Sequence, residues 1–169
     1  MTININGILL DLSTPKVMGI LNITPDSFYD GGKFNSDKKI LNKVDKMISQ
    51  GADMIDIGGY SSRPGAKEVN IDNEIKRVLP VIELIKNKFN DIIISIDTFR
   101  SEVAKKAINI GASIINDISA GDLDPEMFNC VAKLKVPYIM MHMKGAPSNM
   151  QKNPTYENVI SEIIKNLSN

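Results

Sequence analysis

One short unit recurs five times along this chain: a run of four or five aliphatic residues, a polar loop, then a stretch whose apolar residues fall three and four apart. Runs with almost no polar alternation do not suit a strand with one face in water. The pattern therefore predicts parallel strands at 17–21, 54–57, 92–96, 113–116 and 138–141, in a sheet buried on both sides. Helices are predicted near 38–49, 71–88, 101–109, 124–134 and 155–167. Gly51 and Gly111, each followed by Ala and the next strand, stand where a helix ends in a left-handed residue. Ahead of the first unit, Asn6-Gly7 lies between the apolar runs 3–5 and 8–10 and predicts a hairpin that caps one end of the fold. No linker or low-complexity tract interrupts residues 1–169, so the expected organisation is a single domain.

A parallel sheet of five units fits either an open doubly wound layer or part of an eight-unit barrel of about 250 residues. Length favours the open sheet. Two features favour the barrel: the first strand lacks a Gly-rich dinucleotide turn, and polar clusters follow every strand instead of gathering at one switch point.

Those clusters hold the chemistry. The strand ends read Asn22; Asp56 followed by GGYSSRPGA; Asp97-Thr98; Asn116-Asp117; and His142. Any one of them has a simple alternative as a helix cap, and Asp97 or Thr98 could cap the helix beginning near Ser101. Five ends carrying such groups point instead to a shared site, because buried unpaired carboxylates and amides are costly unless a ligand satisfies them. The first strand runs into MGILNITPDSFYDGG, where the Asn22 carboxamide offers a neutral oxygen to a hard cation and the following turn formers, hydroxyls and carboxylates read as a functional loop. In Gly58 to Ala66, two hydroxyls and the Arg63 fork form a plausible anion clamp. His142 has no serine or cysteine placed for it to activate and reads as structural. Met140, Met141 and Met143 read as core and loop residues whose thioethers could pad a flat ring.

Composition limits the partners. Twenty basic residues balance twenty acidic ones, so no broad basic field is present to hold nucleic acid or an anionic membrane, and a small-molecule partner is expected. The single cysteine, Cys130, excludes an internal disulfide and reads as a small buried hydrophobe on a helix, suited to a reducing cytoplasm. No run resembles a targeting segment or a membrane span, so a cytoplasmic location is expected.

NITPDSFYDGG, DIGGYSSRPGA, SIDTFR, INDISA and MHMKG, in this order and spacing, resemble the dihydropteroate synthase family of pterin-binding enzymes across the whole chain. The resemblance implies a TIM-type (β/α)8 barrel with about five of eight units present. It also implies condensation of (7,8-dihydropterin-6-yl)methyl diphosphate with 4-aminobenzoate to 7,8-dihydropteroate and diphosphate, in folate biosynthesis. Sulfonamides mimic the aminobenzoate in that family, and its full-length members are often homodimers. By the same resemblance Asn22 ligates Mg²⁺, the implied cofactor, which neutralises the departing diphosphate. Asp97 and Asn116 grip the pterin, with Met140 beside it. Ser61 and Ser62 are substrate-binding, and Ser62, standing where many members have Thr, keeps a hydroxyl for the diphosphate. Together with Arg63, Asp26, Ser27 and Asp30 they belong to two loops that close over the leaving group and shape the aminobenzoate slot.

The family completes its pocket with an Asp, a Lys and an Arg-x-His on strands six to eight, and these lie beyond Asn169. The expectation is therefore a truncated barrel with two unpaired sheet edges and an incomplete catalytic set. The alternatives are a pterin-binding methyltransferase domain and a non-catalytic pterin-binding fragment. Against the methyltransferase stand the two loops, whose diphosphate and metal chemistry a methyl transfer would not use.

Overall fold

The computed structural model describes residues 1–23, 33–60, 69–147 and 149–168. A two-stranded antiparallel hairpin, β1 (Thr2–Ile5) and β2 (Ile8–Asp11), turns at Asn6 and Gly7, both with positive φ. That conformation matches the twist of the strands it joins. Five parallel strands follow in sequence order: β3 (Met18–Asn22), β4 (Met54–Gly58), β5 (Ile93–Asp97), β6 (Ile114–Asp117) and β7 (Tyr138–Met140). Between and after them run α1 (Lys33–Ser49), α2 (Ile71–Lys88), α3 (Ser101–Asn109), α4 (Met127–Leu134) and α5 (Val159–Leu167). Gly51 and Gly111 take positive φ after α1 and α3, as the sequence predicts.

Strand register divides the sheet into two chemically distinct faces. Leu21, Ile57, Ile96 and Ile115 lie side by side on β3 to β6, and each is fully buried. Beneath the helices this row meets Val44, Val78, Ile82, Ile85, Val103, Ala104 and Ala107, and each large aliphatic side chain so buried contributes about 2 kcal/mol. The helices follow their own stripes into this layer. On α2 the buried positions are Glu74, Val78, Val81, Ile82 and Ile85, at spacings of three and four. α1 packs on α2, α2 on α3 and α3 on α4, in chain order.

On the opposite face, Met18, Met54 and Ile93 form the lowest row, toward the strands' N-terminal ends. There Ile5 packs with Met54 and Ile114, joined by Ile3 and Leu10, so the hairpin closes the bottom of this face. Asn6 Nδ2 fastens it by donating to Ser113 Oγ at 2.9 Å.

Several sequence expectations are corrected. Burial on both sides holds for the middle strands but not at the edges of the described sheet, where Ile20 is 61% and Ile139 39% exposed. α1 begins at Lys33 instead of 38, because apolar spacing registers only where the helix reaches the sheet near Ile40. α5 begins at Val159 instead of 155, where the Asn158 side chain accepts from Ser161 N. α4 begins at Met127 instead of 124; Asp124 is spent on a turn, accepting from Glu126 N, and on the start of α3, accepting from Ser101 N at 2.7 Å. Cys130 is half-buried on α4, with its thiol turned to the Ser101 carbonyl.

Candidate functional site

Hydrogen-bonded register places Asn22, Gly58, Asp97 and Asn116 directly beside one another across β3, β4, β5 and β6. They form the top row of the face that the hairpin closes below. Each comes from the C-terminal end of its strand, the end at which parallel β/α folds bind ligands. One row lower lie Ile20, Asp56, Ser95 and Ile114. Together Ile20, Asn22, Asp56, Asp97, Asn116, Ile118 and Met141 line a cleft of about 260 Å³.

Gly58 keeps the middle of the row open. A Cβ there would stand 3.1 Å from Asp97 Oδ2 and 3.2 Å from Asn22 Oδ1, so both side chains lean across the glycine. Asn116 Nδ2 donates to Asp56 Oδ2 at 3.0 Å, which orients the amide and leaves its oxygen available to a donor in the cleft. Asp56 is nearly fully buried and its Oδ1 has no hydrogen-bond partner among the described residues. Ser95 Oγ lies close by without completing a bond to it.

The electrostatics follow from this crowding. Burial pushes the Asp97 carboxyl up to about 7, and the carboxylates of Asp56, Glu74 and Asp117 add to the rise. Burial also raises Asp56, against the opposing pull of the nearby Ser95 hydroxyl and the Asn116 hydrogen bond. Two desolvated carboxylates with spare acceptor capacity suit a ligand rich in N–H donors. The capping alternative for Asp97 does not hold: Ser101 N is taken by Asp124, and Thr98 Oγ1 accepts from Arg100 N.

Of the residues singled out from sequence, Asn22, Asp97 and Asn116 are brought together. Met140 is not. It pairs in register with Asp117, on the helix-covered face, and Met141 lines the cleft in its place, because side chains alternate along β7. Asp26, Ser27, Asp30, Ser61, Ser62 and Arg63 lie outside the described residues. His142 lies away from the cleft, its Nδ1 at 2.9 Å from Asn166 Oδ1. The residue that sequence reasoning left without a role is Asp56. Its signal was available, since it sits two residues before the strand end and therefore faces the same way as that end.

Asn22 is also the candidate cation ligand. Its exposed carboxamide makes no hydrogen bond among the described residues, and its oxygen faces the Asp97 carboxylate across Gly58. Oxygen donors alone, one of them neutral, suit a hard cation that keeps most of its waters. No cluster of three or more His, Cys, Asp or Glu residues is present among the described residues to form an all-protein cage. A larger groove of about 620 Å³ lies between Lys144, residues 155–158 and α5, but its main charges pair with each other, Lys144 with Glu162 at 2.5 Å.

Five consecutive βα units with their polar groups at the strand tips define a ligand-binding segment of a β/α barrel, and comparison with known proteins gives the same architecture. Residues 18–169 match the family described as pterin binding enzyme, and the chain belongs to that family. It is 48% identical over 159 residues to the dihydropteroate synthase of Haemophilus influenzae, covering 94% of this chain and 57% of that protein. Among solved structures, Yersinia pestis dihydropteroate synthase, in a sulfonamide drug complex, superposes with a TM-score of 0.85 at 43% identity, over 98% of this chain and 59% of that one. The Xanthomonas albilineans dihydropteroate synthase with 4-aminobenzoic acid gives 0.85 at 39% identity, over 99% and 58%. The chain thus spans a little over half the length of these relatives.

Proposed function

We propose that this chain carries the chemistry of a dihydropteroate synthase: (7,8-dihydropterin-6-yl)methyl diphosphate condenses with 4-aminobenzoate to give 7,8-dihydropteroate and diphosphate. The observation that carries the reading is the single row Asn22, Gly58, Asp97 and Asn116, backed by the buried Asp56.

A pterin presents ring N–H groups and an exocyclic amine along one edge. Asp97 in its charged form accepts from such donors, and the Asn116 oxygen accepts beside it while the Asn116 amide stays committed to Asp56. Strand neighbours lie about 4.8 Å apart, so Asn22 and Asn116 are separated by roughly 14 Å along the sheet. That span suits a ligand with a flat ring at one end and an anion at the other. Asn22 is the residue that would hold Mg²⁺, which supplies charge neutralisation to a departing diphosphate. In the reaction the methylene C–O bond to diphosphate breaks, the aminobenzoate nitrogen bonds to the same carbon, and its proton passes to solvent. Asp97 and Asp56 place negative charge near the pterin as that bond loosens, which favours positive character developing there. The Ser61, Ser62, Arg63, Asp26, Ser27 and Asp30 roles drawn from the family resemblance belong to this same proposal, as does a cytoplasmic setting.

Isothermal titration of the chain with dihydropterin diphosphate, with and without Mg²⁺, tests the reading. Binding that tightens with Mg²⁺ is expected. Binding indifferent to the metal would favour a methyl-transferring relative, and no binding would overturn the proposal.

A further inference from the structure

Glu74 interrupts the apolar stripe of α2 and is fully buried, a position that strongly disfavours an unpaired carboxylate. Both of its oxygens are engaged. Thr98 Oγ1 donates to Oε1 at 2.6 Å, and Arg100 Nη1 donates to Oε2 at 2.5 Å. Arg100 is itself held, since Nη2 donates to the Val69 carbonyl at 2.8 Å and the guanidinium lies 4.9 Å from the Phe99 ring and 5.3 Å from the Tyr60 ring. The acceptor offered to Thr98 is therefore fixed in place on α2.

Thr98 is 2% exposed and directly follows Asp97, the last residue of β5. Consecutive side chains leave a strand on opposite faces, so Asp97 enters the cleft while Thr98 points beneath the helices to Glu74. Thr98 N donates to the Asn116 carbonyl at 3.0 Å, and Thr98 Oγ1 accepts from Arg100 N at 3.2 Å. One residue thus ties the tip of β5 to the tip of β6, to α2 and to the turn that enters α3. Asp97 needs such a hold. The carboxylates of Asp56, Glu74 and Asp117 crowd it, and a loose tip would let it turn out toward water.

We propose that Thr98, anchored on the buried Glu74, is a positioning residue for pterin recognition, holding the Asp97 carboxylate level with the Asn116 amide oxygen so that both face one edge of the ring. This rests on the synthase reading above. Apolar side chains at 74 and 98 would close the layer beneath the helices at least as well, whereas a directed bond to a fixed acceptor sets where the strand tip lies. The register neighbours Asp97 and Asn116 are the two residues whose relative placement that tip controls.

Calorimetry of the full chain with 6-hydroxymethyl-7,8-dihydropterin, which carries no diphosphate and calls for no metal, tests the proposal from about pH 5 to about pH 9. The unmodified chain should bind more tightly as Asp97 ionises. Thr98→Val keeps the shape and removes the hydroxyl; affinity near pH 8 is expected to fall about tenfold, and the window of tightening to move down by about one pH unit as the freed carboxyl gains water. Thr98→Ser keeps the hydroxyl and should stay within about twofold of the parent, with the window in place. A Thr98→Val chain that binds like the parent, a loss of affinity with an unmoved window, or Thr98→Ser as weak as Thr98→Val overturns the positioning role and leaves the synthase reading intact. An unmodified chain that binds no dihydropterin sinks both. Should Thr98→Val fail to fold, combining it with Glu74→Gln leaves no buried charge short of a donor. Against Glu74→Gln alone, the double variant must then lose at least about fivefold, and a smaller loss overturns the proposal.

Discussion

Asn116 and Asp56, 60 residues apart in the chain, share a hydrogen bond of 3.0 Å from the amide nitrogen to a buried carboxylate oxygen. The bond decides which end of the Asn116 amide faces the cleft, and it leaves the second Asp56 oxygen unpartnered among the described residues. Asp56→Ala removes the acceptor and frees the amide to rotate, so affinity for dihydropterin diphosphate should fall about tenfold or more. Asp56→Asn keeps an acceptor for Asn116 and should cost less than fivefold. Titration calorimetry on the two variants distinguishes these outcomes, and equal losses would remove the orienting role.

Asp97 links stability to pH. Its carboxyl holds a proton up to about 7 in the fold but only to about 3.8 in the unfolded chain, so the native state binds more protons between those values. Stability therefore falls as pH rises through that window, and Asp97→Asn should relieve the loss. Thermal unfolding is expected to show Asp97→Asn level with the parent near pH 4 and more stable at pH 8, by on the order of a few kcal/mol at most. Ligand affinity should move the other way, tightening from pH 6 to pH 8 as the accepting carboxylate forms.

Gly58→Ala sets a methyl group at 3.1 Å from Asp97 Oδ2 and 3.2 Å from Asn22 Oδ1. Both oxygens must shift by a few tenths of an ångström, while the strand, with ordinary backbone angles at this glycine, accepts the alanine. Affinity for dihydropterin diphosphate should drop about tenfold and the unfolding midpoint should change by only a few degrees. A variant that unfolds far earlier than the parent would show that the glycine serves packing instead.

Ile5→Ala tests the hairpin as a plug. Ile5 is 5% exposed and packs on Ile114, in the row that holds Asp56, and on Met54, in the row beneath it. Chemical denaturation should show a loss of about 2 kcal/mol with ligand affinity nearly unchanged. A large affinity loss at native stability would mean that the hairpin reaches the site.

Much of the cleft was legible because strand ends and side-chain direction are local properties. The apolar runs ending in Asn22, Asp97 and Asn116 located three of its members, and the Asn6-Gly7 turn located the hairpin. Met140, taken from the family resemblance among three neighbouring methionines, falls beside Asp117 while Met141 lines the cleft, a difference of one residue that only strand register resolves. The Asp56 partnership and the Arg100 contacts were not legible, since each joins residues from separate units through geometry that only the assembled sheet supplies. Glu74 did leave a trace, as a carboxylate at helical spacing from Val78, Val81, Ile82 and Ile85. An acid inside an apolar stripe implies a hidden cation, though the stripe cannot say which one.

The side-by-side seating of Asn22, Gly58, Asp97 and Asn116 makes this protein sensitive to reading phase more than to spelling. Dropping one residue from the middle of β5 would turn an isoleucine toward the ligand and drive a carboxylate beneath the helices, two faults from a single lost codon. The connections that return each helix to the next strand carry no such phase. Natural length variation in close relatives should therefore collect in those return loops and spare the strands.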